Sequence, residues 1–231
     1  MLTAPHFSPE ALESVRLRIV TAARHSARDP SGVRLVAVSK QQPASSIRAA
    51  CGAGQLEFGE NYLQEALPKI ESLKDLPLTW HFIGRLQANK TREVAIAFDW
   101  VHSVDRERIA QRLNDQRPPD APPLRVLLQI RVDDAAAHGG VEPARLPGLA
   151  AAVHQMPRLE LRGLMCMPTP ATDPAAQRLP FRRLRELRDE LGRKGHVLDT
   201  LSMGMSADLE AAVAEGATMV RVGTAIFGPR T

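Results

Sequence analysis

A chain of 231 residues, 44% hydrophobic and 24% charged, can bury a sizeable core and has the composition of an ordinary globular protein. Its net charge of +4 is mild, and its most basic run, FRRLRELRDELGRK at 181–194, sets Glu186, Asp189 and Glu190 among the arginines, so a solvated helix face is expected there and no nucleic-acid partner. No apolar run approaches the ~18 residues that cross a bilayer, MLTAPHFSPE lacks the blocks of a signal peptide, and the distant Cys51 and Cys166 form neither a metal motif nor a disulfide framework, so a cytoplasmic protein with no membrane partner is expected.

In chain order, an extra helix over 9–27 precedes a first strand, VRLVAV at 33–38. Pro43 can open a helix over 43–52, which Gly52 and Gly54 can close. A strand LEF (56–58) follows, then a helix over 61–73 with Tyr62, Leu63, Ala66, Leu67 and Ile70 on one stripe. The next strands are LTWHF (78–82), DWVH (99–102) and LRVLLQI (124–130). RPPDAPP at 117–123 is expected to be a stiff loop within the fold rather than an inter-domain linker. A helix over 143–154 turns Leu146, Leu149, Ala150 and Val153 inward and leads to the strand LELRGL (159–164). Pro180 opens a helix with Phe181, Leu184, Leu187 and Leu191 inward, and the strands LDTLS (198–202) and TMVRV (218–222) flank a helix over 207–215. Most of these strands are continuously apolar, as parallel strands covered on both faces are. Eight strands alternating with helices predict a single domain over 1–231, an α/β protein of the (β/α)8 TIM-barrel class.

Functional groups of such a barrel lie at the carboxyl ends of its strands. Ser39-Lys40 ends the first strand. A lysine partly withdrawn from water gives up its proton more readily and offers an amine for imine formation, although a surface lysine would look the same in sequence. In FGENY, Glu60 or Asn61 can reach the mouth, and Asn61 can instead cap the next helix. In WHFIGRLQANK, His81 lies at the end of the third strand, where a single histidine is more often a hydrogen-bonded core residue than a catalyst. Ser206 in SMGMSADLE can cap a helix or bond a phosphate. Gly223 and Thr224 open a short turn whose free N–H groups suit an anion. The alternation of Met219, Arg221 and Gly223 against Val220 and Val222 turns Arg221 into the barrel, where it needs an acceptor. A lysine, an anion nest and an inward arginine together describe a phosphorylated aldehyde held as an imine, for which pyridoxal 5′-phosphate (PLP) is the natural candidate.

LVAVSK, FGENYLQEA, WHFIGRLQANK, LRGLMCMPTP and LSMGMSADLEAAVAEGATMVRVGTAIFGPR jointly resemble the YggS family of pyridoxal phosphate homeostasis proteins, over residues 30 to 230. The resemblance implies a barrel like the N-terminal domain of alanine racemases and eukaryotic ornithine decarboxylases, which is fold type III among PLP proteins. It implies Lys40 as the Schiff-base lysine, Ser206, Gly223 and Thr224 at the phosphate, Arg221 at the pyridine nitrogen, and Asn61 and His81 near the cofactor. It also implies a monomer that delivers PLP to PLP-dependent apoenzymes. The chain departs from the family at IRVDDAAAHGG (130–140), where His138 stands near an expected lysine.

Three functions remain open on the sequence: a non-catalytic PLP carrier, a fold type III racemase or decarboxylase of amino acids, and an interaction module without cofactor. An arginine at the ring nitrogen opposes its protonation and weakens the ring as an electron sink. The chain has one tyrosine, Tyr62, and no room for a C-terminal β-domain after residue 228. The carrier is therefore the expected function.

Overall fold

The strand runs close on themselves. In the computed structural model, which describes residues 7–133 and 139–228, β1 (Arg34–Val38), β2 (Glu57–Glu60), β3 (Thr79–Phe82), β4 (Trp100–Val104), β5 (Leu124–Gln129), β6 (Leu159–Met165), β7 (Thr200–Ser202) and β8 (Met219–Val222) form a closed barrel in that order. Every neighbouring pair is parallel, including β8 with β1. His138, which bears on the departure from the family pattern, lies outside the described residues.

The helices are α1 (Pro9–His25), α2 (Ala44–Gly52), α3 (Leu63–Ser72), α4 (Thr91–Ala97), α5 (Glu107–Gln116), α6 (Leu146–His154), α7 (Pro174–Arg193), α8 (Leu209–Ala214) and α9 (Thr224–Phe227). Outward strand residues such as Ala37, Phe58, Val126 and Val220 meet the buried stripes of these helices in one continuous apolar layer. Among the described residues, no helix is long and apolar enough to cross a membrane.

α1 begins where Ser8 Oγ accepts from the Ala11 amide at 3.1 Å and Pro9 takes the first helical position. Its apolar face of Leu12, Val15, Ile19, Ala22 and Ala23 is buried. Its polar edge ties it to the last part of the barrel, because Arg18 donates to Glu210 at 2.7 Å and to the Ser206 carbonyl at 2.9 Å.

The inside of the barrel is a packed core rather than a channel. Val36, Trp100, Leu127, Met165 and Met219 fill its waist. At the amino-terminal floor the guanidinium carbons of Arg34, Arg125 and Arg162 lie 4.8, 5.5 and 5.7 Å from the Trp100 ring centroid. Each also meets a carboxylate: Arg34 with Glu57 at 3.6 Å, Arg125 with Glu160 at 3.5 Å, and Arg162 with Glu160 at 3.2 Å and with Asp199.

Two sequence expectations change. The helix expected to open at Pro180 starts at Pro174, because Asp173 Oδ2 accepts from the Ala176 amide at 2.7 Å and caps the chain six residues earlier. Pro180 instead sits inside α7, where it gives up one backbone hydrogen bond. Tyr62, expected on the apolar stripe, is the N-cap residue of α3 and is 49% exposed.

Candidate functional site

The register of β1 against β8 sets Val36 beside Arg221 and Ala37 beside Val222, which brings the residues after β1 against those after β8. A cleft of about 230 Å³ opens there, and Lys40, Ser206, Arg221, Gly223 and Thr224 all line it. At Gly223 the backbones come so close that a Cβ would stand 3.1 Å from the Val38 carbonyl oxygen and 3.3 Å from Val38 Cβ. A side chain there would have to push into β1, so glycine lets the end of β8 pack this close to β1.

Lys40 sits in a turn, closed by the Gln42 amide donating to the Ser39 carbonyl at 3.0 Å, that is fixed from behind. The Ser39 amide donates to the Gly59 carbonyl at 3.0 Å, and Ser39 Oγ donates to Glu60 Oε1 at 2.7 Å. Lys69 Nζ donates to the same carboxylate oxygen and to the Ser39 carbonyl, each at 2.9 Å. Gln41 adopts a left-handed φ of 62°, and its amide bonds Glu65 Oε2 at 2.9 Å. Burial pushes the Glu60 carboxyl above its ordinary value, against the pull of Lys69. From this turn Lys40 and Gln42 both line the cleft.

The loop from β7 to α8 turns on Gly204. Its φ is 94°, and a Cβ there would lie 2.5 Å from Ala212 Cβ. Asp208 stands at the N-cap of α8 without a side-chain cap bond, and its Oδ1 accepts from the Met205 amide at 2.6 Å. Ser206 is therefore not the cap of α8, which had been one of its two possible roles. Its carbonyl is held by Arg18, so α1 helps to place the loop. On the facing side, Gly223 stands at the N-cap of α9 with no side-chain cap over the first amides.

Arg221 is 3% exposed and points inward. Nη1 donates to Ser202 Oγ at 2.7 Å and Nη2 to the Cys166 carbonyl at 2.9 Å. Burial lowers the guanidinium from its ordinary value and pushes the Cys166 thiol up to about 12, which makes that sulfur an inert packing group.

Two of the seven residues singled out from the sequence lie elsewhere. Asn61 lines a neighbouring hollow with Phe82, Gly84 and Lys90, and its Oδ1 is buried with no hydrogen-bond partner among the described residues. It does not cap α3, whose start carries no side-chain cap bond. His81 is fully buried one layer below the cleft, where its Nδ1 lies 3.0 Å from His102 Nε2. Sequence reasoning passed over His102 and Lys69 and gave Ser202 only a place nearby. Glu60, expected like Asn61 to reach the mouth, is instead fully buried behind it against Ser39 and Lys69. A histidine in each of LTWHF and DWVH was the one signal on view, and it acquires meaning only when His81 is found paired with Trp100 across β3 and β4.

The alanine racemase N-terminal domain family matches residues 11–231. The pyridoxal phosphate homeostasis protein of Pseudomonas aeruginosa is 57% identical over 221 residues, covering 96% of this chain and 95% of that protein. The protein of the same name from Escherichia coli is 51% identical over 222 residues, with 95% of each chain covered. Among solved structures, PipY of Synechococcus elongatus with PLP bound superposes with a TM-score of 0.84 at 39% identity, over 95% of this chain and 99% of PipY. Alanine racemase from Streptomyces coelicolor, at 19% identity and a TM-score of 0.73, covers 95% of this chain with 58% of its own length and shares the fold. With the barrel, the cleft and these relatives together, the chain belongs to the pyridoxal phosphate homeostasis protein family, built on the alanine racemase N-terminal domain.

Proposed function

We propose that the cleft holds PLP and that the protein stores and hands on this cofactor without turning over a substrate. The observation that carries the proposal is the convergence of Lys40 and Arg221 with Ser206, Gly223 and Thr224 in one small cleft at the carboxyl ends of the strands. The residues present fit the cofactor. The uncapped start of α9, on the cleft with Ser206 and Lys40, leaves amides for an anionic tail. PipY, which is solved with PLP, and the homeostasis proteins of Pseudomonas and Escherichia support the same assignment.

When bound, PLP supplies an aldehyde that condenses with an amine and a ring that can draw electrons from the attached carbon. Lys40 offers its nitrogen to that aldehyde from a turn fixed by Ser39, Glu60 and Lys69. Ser206, Gly223 and Thr224 bind the phosphate and fix the orientation. Arg221 would oppose protonation of the ring nitrogen, because two positive charges would meet. That arrangement favours holding over catalysis. Water or an amine of the recipient would take the place of Lys40 on release. The proposal extends to a single-domain, monomeric, cytoplasmic protein whose recipients are PLP-dependent apoenzymes, with no nucleic acid or membrane partner.

Titration of the purified protein with PLP tests this directly. A visible absorption band is expected to grow to one equivalent and to be lost in Lys40→Ala. A Lys40→Ala protein that keeps the band would overturn the assignment of Lys40. Turnover of free amino acids well above the rate given by PLP alone would favour a racemase or decarboxylase of the same fold.

A further inference from the structure

Below the cleft a line of polar side chains runs through the barrel to its floor. Arg221 Nη1 donates to Ser202 Oγ at 2.7 Å, and Ser202 Oγ lies 3.0 Å from His102 Nδ1. His102 Nε2 lies 3.0 Å from His81 Nδ1, and His81 Nε2 faces Glu57 Oε2 at 3.2 Å. Ser202, His102 and His81 are sealed from solvent. The line crosses β8, β7, β4, β3 and β2 in turn.

The two ends dictate where every hydrogen sits. A guanidinium has only donors, so Ser202 Oγ accepts from Arg221. The serine is buried and must place its own hydrogen, and His102 Nδ1 is the acceptor beside it. A Nδ1 that accepts puts the ring hydrogen on Nε2, which donates to His81 Nδ1. His81 then carries its hydrogen on Nε2, aimed at a carboxylate that can only accept. The reverse order fails at both ends. It leaves the Ser202 hydrogen without an acceptor, and it sets a histidine lone pair against the Glu57 oxygen. Among the described residues His81 Nε2 and Glu57 Oε2 have no hydrogen-bond partner, so the 3.2 Å approach between them is a charge–dipole contact rather than a formed hydrogen bond.

Charged groups reach the two rings from several elements: Arg34 on β1, Glu57 on β2, Asp99 before β4 and Arg221 on β8. Burial outweighs them and holds both histidines below their ordinary value, His102 further than His81.

We propose that His102 and His81 are positioning residues, links of a one-directional hydrogen-bond chain whose direction is set by the Glu57 carboxylate facing His81, and that this chain presents Ser202 to Arg221 as an acceptor and so aims the guanidinium into the cleft. On the function proposed above, the group it meets there is the pyridine nitrogen of PLP. The chain has a second consequence. Arg221 is anchored by a hydroxyl and a carbonyl, and the Glu57 carboxylate stays at the far end of the line. The positive charge at the ring nitrogen is therefore not cancelled by a carboxylate in contact with it.

Nitrogen NMR of the full chain without cofactor tests the polarity without reference to PLP. Both rings are expected to be neutral at pH 7 with the hydrogen on Nε2, and a spin coupling is expected across the His102–His81 hydrogen bond. A charged ring, or a hydrogen on Nδ1 of either, would overturn the chain. The aiming role is tested by two substitutions read by PLP affinity and by the pH midpoint of the visible band. His102→Asn keeps an acceptor for Ser202, while His102→Leu removes it. Loss of a hydrogen bond behind a charged group is expected to weaken binding about tenfold and move the midpoint in His102→Leu, with His102→Asn within about twofold of the unaltered protein. Equal losses in both, or none in His102→Leu, would overturn the role. Ser202→Ala makes the same measurement if His102→Leu does not fold. If the unaltered protein takes up no PLP, the proposed function fails and the NMR result alone decides the chain.

Discussion

The two ends of the barrel use similar residues and do opposite things. At the floor, three arginines crowd Trp100 and each meets Glu57, Glu160 or Asp199, so the charges close on one another and seal the core. At the mouth, Arg221 is anchored by the Ser202 hydroxyl and the Cys166 carbonyl, which hold it without neutralising it. A cation paired with an anion is a structural element, whereas a cation fixed by neutral acceptors keeps its charge for a ligand. What marks the site is thus the nature of the groups that hold the cations, more than the cations themselves.

The largest expected effect is at the floor. Trp100→Ala should destabilise the fold by about 3–5 kcal/mol in urea unfolding, since it empties the waist and strips three guanidinium groups of their ring. A cost below about 1 kcal/mol would mean that Trp100 does not seal the barrel. Behind the mouth, Lys69→Met leaves the Glu60 carboxyl buried without its cation and should cost about 3 kcal/mol. It should also slow PLP uptake, because Lys69 holds the Ser39 carbonyl in the turn that carries Lys40. Unchanged uptake would show that the turn holds itself.

Between the two ends, the buried histidines give a pH signature. Burial keeps His102 well below its ordinary value in the folded state, so the unfolded chain takes the proton first as pH falls. Stability should therefore drop below pH ~6.5, by about 1.4 kcal/mol per pH unit for each histidine kept neutral, until the folded-state value is reached. His102→Leu should flatten that slope by one proton, and an unaltered slope would place its charge elsewhere. The smallest effect is at the mouth. Ser206→Ala should weaken PLP binding by about 1 kcal/mol, roughly fivefold, with unfolding unchanged, because Ser206 is not the helix cap. A loss of stability equal to the loss of affinity would give it a structural role after all.

Much of this was legible in the sequence, for identifiable reasons. Strands covered on both faces stand out as unbroken apolar runs, and the lysine that ends LVAVSK contrasts sharply with them. Arg221 could be turned inward because strand alternation is local. The clamp of Ser39, Glu60 and Lys69 was not legible, since it joins a strand end to a helix 30 residues away. The link between His81 and His102 depends on the pairing of β3 with β4, which neither segment encodes alone. Pro180 misled because a proline after a polar stretch reads as a helix start, yet Asp173 had already capped the turn ahead of it.

The most direct measurement is borohydride reduction of the PLP-loaded protein followed by peptide mapping. The account predicts a single stable pyridoxyl tag on the side-chain nitrogen of Lys40. A tag on another amine, or none at all, would contradict it.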